Sequence, residues 1–486
     1  MNEGLEHFSY GGGAGSSVLH PLVLALMILA IILIAALPRK YVVMPFLFSL
    51  LMIPAGQQLF VAGIHLFVFR ILILVGFARL IASHFTSTEE TLAGGFSSLD
   101  KVFLAWAICR AAAPIFLFKQ GGAVVNSLGF LWDALGCYFF LRFLIRDQED
   151  VNRIIKLFSV VAMIIGLAMV REHFTGIDSF GFLGGIRAVL EVRNGTPRAQ
   201  GPFQHALLAG TFGATLPPLF FWLWRGVKSK ILAIIGMIGC TLMATLTMCS
   251  SPVLVYAAGI GALLLWPLRD RMRTLRWGLV GLCALLQLVM KAPFYFAIAH
   301  IDLVGGSNSW YRAALIDDFV RNFGSWWLIG TTSNLSWADG AMWDACNQFV
   351  AEGVAGGIVT LVLFIAMISI CFSWLGTARK SASGDTQKEW FYWILGATLF
   401  AHVVGFFGID YFDQSRFTWY ALIAMIGAVA APVLAAANVP AKSPAPASSR
   451  ERGYSGPGPK LAPDGIRLKY SGPANSVRFR AKLPGH

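Results

Sequence analysis

The chain has 486 residues, 57% of them hydrophobic and only 13% charged, with a mean hydropathy of +0.67. A water-soluble domain carries roughly 45–50% apolar and about 25% charged residues, so too little charge is present to cover a soluble body of this size. A soluble enzyme, a disulfide-built secreted scaffold and a disordered chain are excluded. What is left is an all-α polytopic membrane protein.

Apolar runs of about 20 residues, the length that crosses a bilayer's hydrocarbon core, recur along the chain. They fall at 18–37, 42–60, 65–83, 102–118, 127–145, 154–171, 204–224, 231–248, 252–268, 276–297, 353–376, 390–409 and 417–438. The count is thirteen, or twelve if 102–118, interrupted by Arg110 and Pro114, does not cross. The first run is too long for a signal peptide, and Glu3 and Glu6 stand where a basic n-region is needed. Residues 1–438 thus read as one polytopic membrane domain. Residues 439–486 are rich in Pro, Ser and Gly, and hold nine basic side chains against Glu451 and Asp464. This segment reads as a disordered, basic cytoplasmic tail rather than a nucleic-acid-binding arm. It carries over half of the formal net charge of +13. The seven cysteines are scattered, mostly within apolar runs, and show no C-x-x-C spacing.

Lys and Arg in short loops orient a membrane protein, because they are retained on the cytoplasmic side. One set of alternate loops holds Arg39 and Lys40, then Arg146, Arg153 and Lys156, then Arg225, Lys228 and Lys230. The same set continues with Arg269, Arg271, Arg273 and Arg276, and ends with Arg379, Lys380 and Lys388. The opposite short loops hold only Lys119. The basic set is therefore expected inside, which places the two long segments at about 172–203 and 298–352 outside. Loops of that length usually carry function.

Both long segments carry arginine where charge bias disfavours it. The first ends Arg198-Ala-Gln-Gly-Pro-Phe-Gln204-His205 and runs directly into a span, with Gly195, Pro197, Gly201 and Pro202 setting turns. The plain alternative is a loop that merely caps a helix. The second offers Trp310-Tyr311-Arg312 at the start of a helical stretch to Arg321, and closes with Asp344-Ala-Cys346-Asn347-Gln348 ahead of Glu352-Gly353. Asp344, Asn347 and Gln348 share one helix face if the segment is helical. An ordinary N-terminal cap by Asp344 or Asn347 is the alternative. Asp410 and Asp413, at the outer end of a span, could meet sugar hydroxyls, whereas Arg142 would snorkel to the cytoplasmic face. Asn194 and Asn334 lie in N-x-S/T sequons. No H-x-x-x-H or clustered carboxylate set is visible, so neither a metal nor a cofactor is expected.

Together these motifs resemble the O-antigen ligase and polymerase superfamily, bacterial membrane enzymes that transfer lipid-linked polysaccharide, and in particular its polymerase-type members. The resemblance rests on Arg198 to His205, on Trp310 to Arg312, and on Asp344 to Gln348 followed by Glu352 to Gly357. It implies a GT-C-like architecture of 12–13 helices in the bacterial inner membrane, with the active site facing the periplasm or cell exterior. The implied donor is a growing glycan on undecaprenyl pyrophosphate, and the implied acceptor is the next lipid-linked repeat unit of an exopolysaccharide, capsule or O-antigen. The transfer is inverting and metal-independent, with membrane lipid, a chain-length regulator and export proteins as further partners and no nucleic acid. Arg198 and Arg312 are the arginines the resemblance assigns to the pyrophosphate, and Gln204, Tyr311, Asn347, Gln348, Asp410 and Asp413 are substrate-binding candidates. Ligase-type members place a histidine at the position of Cys346, which argues against a ligase. Asp344 is the first candidate for the base and His205 the second. The chemistry agrees: a pyrophosphate leaving group needs fixed cations, and an acceptor hydroxyl needs a carboxylate or imidazole within reach. The rival readings are a lipid-linked oligosaccharide flippase or polysaccharide exporter, for which internal repeats and a polar path at mid-membrane are expected, and an acyltransferase using His402.

Overall fold

The computed structural model describes residues 17–61, 64–86, 91–300, 309–332, 337 and 346–437. All belong to the first of two units, divided after Val439, and the predicted basic tail lies outside the described residues.

In chain order the helices begin with α1 (Pro21–Ala36) and α2 (Arg39–Met52), then a hairpin of β1 (Gln58–Val61) and β2 (Ile64–Phe67), and α3 (Val68–Thr86). Next come α4 (Ser98–Phe118), α5 (Gly121–Leu131), a π turn at Trp132–Gly136, α6 (Cys137–Leu144) and α7 (Gln148–Thr175). A second hairpin, β3 (Val192–Arg193) and β4 (Thr196–Pro197), precedes α8 (Ala206–Thr215), α9 (Pro217–Arg225), α10 (Lys230–Leu246), α11 (Ser250–Leu264) and α12 (Met272–Val289). The last are α13 (Ser309–Arg321), α14 (Phe323–Trp326), α15 (Gln348–Ser381), α16 (Thr386–Phe406) and α17 (Gln414–Ala437).

Each predicted span falls on helix. Seven helical runs among the described residues are long and apolar enough to cross a bilayer, and α1, α10 and α11 are apolar but shorter. The protein is therefore helical and multi-pass. Residues 102–118 are helical throughout despite Arg110 and Pro114. The run predicted to reach residue 60 ends at Met52 instead, because Pro54 disfavours helix at the residue before it and the chain turns into the first hairpin. The outward faces are greasy. No residue of α12 is buried, and Leu279, Leu285, Leu288 and Val289 are all more than half exposed. Water would not tolerate such a surface, whereas lipid does.

Contacts sort the polar residues to two ends of the bundle. At one end Arg39 pairs with Asp150 at 3.1 Å, and Trp222 Nε1 donates to Asn152 at 2.8 Å. There Gln387 also donates to the Gly226 carbonyl at 3.2 Å, and Arg379 and Arg269 share Glu389. These are the loops of the basic set. The long first loop and the links around residues 53–58, 247–249 and 410–416 meet one another at the other end.

Arg142 does not snorkel. It is fully buried beside Asp100, also fully buried, with Arg142 Nε donating to Asp100 Oδ1 at 3.0 Å and Tyr138 Oη donating to the same oxygen at 2.7 Å. Asp100 is already fixed by a capping box with Ser97 at the start of α4, so the guanidinium finds its counter-charge inside the protein. Near the opposite end α15 breaks at Gly357 (φ 73°), where a Cβ would lie 2.5 Å from the Leu328 carbonyl. The groups freed by the break are satisfied within the protein: Thr331 N–H donates to Val354 O, and Ile358 N–H donates to Trp327 O, both at 2.8 Å. Non-helical backbone at membrane depth requires such partners.

Removing one member of a buried ion pair leaves the other uncompensated, which costs about 3–5 kcal/mol. Arg142→Ala is therefore expected to lower the detergent-solubilised melting temperature sharply, and the double variant Asp100→Asn/Arg142→Met to recover part of the loss. A melt of Arg142→Ala equal to wild type would show that this pair does not hold α4 to α6.

Candidate functional site

The cluster at the loop end is assembled by turn chemistry. Asn194 and Gly195 both have positive φ (51° and 77°), as a tight I′-type hairpin turn requires. The register pairs Arg193 with Thr196 and Val192 with Pro197. One step further, Arg198 stands opposite Glu191, and the Arg198 N–H donates to the Glu191 carbonyl at 2.9 Å. Their side chains meet too, Arg198 Nη1 donating to Glu191 Oε1 at 2.8 Å.

Arg198 is buried, and its remaining guanidinium nitrogens reach the junction of α10 and α11. Nε donates to the Thr247 carbonyl at 3.4 Å and Nη2 to Cys249 Sγ at 2.7 Å. A cation at a helix C-terminus faces the negative end of the helix dipole. Burial pulls the Arg198 pKa down, but Cys249 and Glu191 outweigh it and hold the guanidinium above its ordinary value. Burial likewise raises Glu191, yet Arg198 more than offsets this and keeps that carboxyl below its usual range.

Arg312, in the first turns of α13, approaches the same place. Burial lowers its pKa, and it lies within electrostatic range of Cys346, Cys249, Arg193 and Arg198. Its Nε is buried with no hydrogen-bond partner among the described residues. Tyr311 beside it packs on a small apolar cluster around Phe319 and Trp326. His205 is the N-cap of α8, its Nδ1 accepting the Leu207 N–H at 3.1 Å. The proton of the neutral ring then sits on Nε2, which lies 3.8 Å from Glu191 Oε2. Arg198 and His205 thus meet the two oxygens of Glu191, and Arg198 also bonds Cys249, which lies within electrostatic range of Arg312.

The other candidates lie on an adjoining seam. The Gln204 side chain is exposed, while its N–H donates to Asp413 Oδ2 at 2.7 Å. Asn347 is the N-cap of α15, accepting from Phe349 and Val350 N–H at 2.9 and 3.2 Å. Gln348 links two elements, receiving the Tyr411 N–H at 2.5 Å and donating to Glu352 Oε1 at 2.7 Å. Asp410 is half-buried in the link between α16 and α17. Asp344 lies outside the described residues, as does the sequon at Asn334.

Several residues organise the site in ways the sequence reading did not assign. Glu172, at the end of α7, is fully buried and accepts the N–H groups of Ser179, Gln200 and Gly201 at 2.9–3.0 Å, so one carboxylate clamps both ends of the loop. Gln57 donates to the Leu183 and Gly184 carbonyls, both at 2.7 Å. Glu352 takes Trp106 Nε1 at 3.0 Å and Arg110 at 3.4 Å. With only 25 acids in the chain, the position of Glu172 directly after the span 154–171 is the one sequence signal that could have pointed to it. No protein-family model matches the chain, and no curated protein matches its sequence.

Two acids at this end titrate near neutrality. Burial, then the charge of Glu172, raises Asp178 to about 6, and burial raises Asp413 to about 7. For a carboxyl raised above its unfolded value, the folded state binds the extra proton, so its stability contribution is full below about pH 4 and is lost as pH rises through 6–7. The melting temperature is expected to fall across that window. Asp413→Asn, which keeps an acceptor for the Gln204 N–H, should remove the upper part of the fall. An unchanged pH profile in that variant would contradict the assignment.

Proposed function

We propose that the protein is a membrane glycosyltransferase, an oligosaccharide repeat-unit polymerase that transfers a growing glycan from undecaprenyl pyrophosphate to the next lipid-linked unit. The observation that carries this reading is the convergence of Arg198 and Arg312, from the two large loops, beside one thiol. Like charges gathered in a partly buried place repel, and a polyanion bridging them relieves that repulsion. Arginine suits the role because its fork of donors matches phosphate oxygens.

In this reading Glu191 sits on Arg198 until the pyrophosphate displaces it, and the two guanidiniums then stabilise the charge that develops on the leaving group. His205 needs its Nδ1 for the α8 cap, so the acceptor hydroxyl is assigned to Asp344, with Glu191 as the carboxylate that hands over its arginine. Gln204, Tyr311, Gln348 and Asp410 are assigned to the glycan, and Asn347 and Asp413 to holding the backbone around it. The site end faces the cell exterior or periplasm, opposite the basic loops, and the helices form a GT-C-like frame in the bacterial inner membrane. A flippase would line a path with ionisable groups, whereas Asp100, Asp133 and Glu352 are each paired with arginine.

Arg198→Ala or Arg312→Ala should abolish polymer while leaving the protein in the membrane at normal level, and the strain should accumulate single repeat units on outward-facing lipid. Full-length polysaccharide from both variants would overturn the arginine assignment, and units trapped facing the cytoplasm would favour the flippase. Asp344→Asn should be far more damaging than Cys346→Ala. Wild-type activity in Asp344→Asn removes it as the base.

A further inference from the structure

A second cluster of arginines lies outside the site just described. Asp133, in the π turn between α5 and α6, is 2% exposed and takes two hydrogen bonds from Arg70, from Nε at 2.8 Å and Nη2 at 3.0 Å. π turns within helices are frequent at functional positions. Arg416, in the first turn of α17, approaches the same carboxylate only to 3.7 Å, and its Nε is buried with no hydrogen-bond partner among the described residues. The two arginine side chains are 19% and 24% exposed, so the acid lies inside and the guanidiniums at the rim.

A purely structural pair needs only Arg70. The bidentate bond satisfies the inward face of Asp133, and Arg416 adds a cation beyond hydrogen-bond range. Among the described residues, Asp413, Cys137 and Tyr420 also feel the charge of Arg416. Asp413, raised to about 7 by burial, carries about half a charge at neutral pH, and the thiol and phenol bring none. The cations are also held in place: both guanidiniums lie over the Phe69 ring, at 5.8 and 5.7 Å from its centroid. Gly129 leaves room for Arg70, since a Cβ there would sit 2.6 Å from Nη2.

Position connects this cluster to the first site. Asp413 holds Gln204, Gln414 Nε2 donates to the Pro202 carbonyl at 2.8 Å, and Arg416 follows two residues later. One short link therefore ties the Arg70–Arg416 cluster to the loop that presents Arg198. The polymerase reaction consumes two lipid-linked pyrophosphates at once, a donor and an acceptor, and Arg198 with Arg312 accounts for one.

We propose that Arg70 and Arg416 form a second pyrophosphate-binding site, which holds the other lipid-linked substrate. This rests on the polymerase reading. Arg70 keeps its bonds to Asp133 and, through Nη1, to the His65 carbonyl at 3.2 Å, and offers its remaining N–H donors at the rim, while Arg416 supplies a cation that the cluster only partly offsets. The shared chemistry is that of pyrophosphate, and the lipid is the source the site is assigned to.

The test is the binding stoichiometry of the full-length protein in nanodiscs, with farnesyl pyrophosphate as the probe and inorganic pyrophosphate as competitor. Wild type should bind two equivalents. Arg416→Ala, which leaves the Arg70–Asp133 pair intact, should bind one equivalent with an unchanged melt, its second affinity falling roughly tenfold to hundredfold, as expected for lost charge-assisted hydrogen bonds. Arg312→Ala should lose the other equivalent. Two equivalents retained in Arg416→Ala overturn the second site. A single wild-type equivalent, lost in Arg312→Ala and kept in Arg416→Ala, overturns it while leaving the polymerase reading standing. Binding unaffected by Arg198→Ala and Arg312→Ala would sink that reading itself. Inorganic pyrophosphate that displaces the second equivalent as well as the prenyl compound does would show an anion site without a lipid, which also overturns the proposal.

Discussion

A charge inside a bilayer must find its partner within the protein, and the arrangement of this bundle follows from that constraint. Asp100 with Arg142 ties α4 to α6, Asp133 with Arg70 ties the π turn to α3, and Glu352 with Arg110 ties α15 to α4. Hydrogen bonds from Tyr138, Trp132 and Trp106 reinforce the three junctions. Apolar contact alone gives little preference for one helix neighbour over another in lipid, so these ion pairs set which helices meet. Because the acids are inside, the arginines of two pairs are left at the periphery, at 19% and 25% exposed.

The loop end depends on a different constraint, the satisfaction of backbone groups where helices stop. Glu172 gathers three N–H groups and Gln57 two carbonyls, while Arg198 takes the Thr247 carbonyl at the end of α10. Asn347 and His205 cap α15 and α8. The loop is held at both of its ends, which is what a site on a loop needs if its arginine is to be placed within fractions of an ångström. The Asn194-Gly195 turn completes this: a slip of one residue in the hairpin would turn Arg198 away from Glu191.

Much of this was legible in the sequence for physical reasons. Helix positions follow from apolar run length, and the grouping of Arg39, Arg153, Arg269 and Arg379 at one end follows from charge bias. The turn at Gly195 and the cap at Asn347 were readable from residue type. The partner of Arg142 was not, because Asp100 lies 42 positions away and only the fold brings them together. Glu191 and Glu172 were hidden for another reason. Both are ordinary acids in a loop by sequence, and their roles come from hairpin register and burial. The approach of Arg312 to Cys249 is likewise tertiary, since α11 and α12 lie between them in the chain.

The central claim is that the loop end transfers glycan between lipid-linked pyrophosphates, and reconstitution tests it most directly. Purified protein in proteoliposomes would be given one lipid-linked repeat unit, with no nucleotide sugar, and both polymer and released undecaprenyl pyrophosphate would be measured. The account predicts chains of two or more units and one released undecaprenyl pyrophosphate for each new glycosidic bond. Repeat units recovered unlinked, whether on their original leaflet or carried across the bilayer, would contradict it.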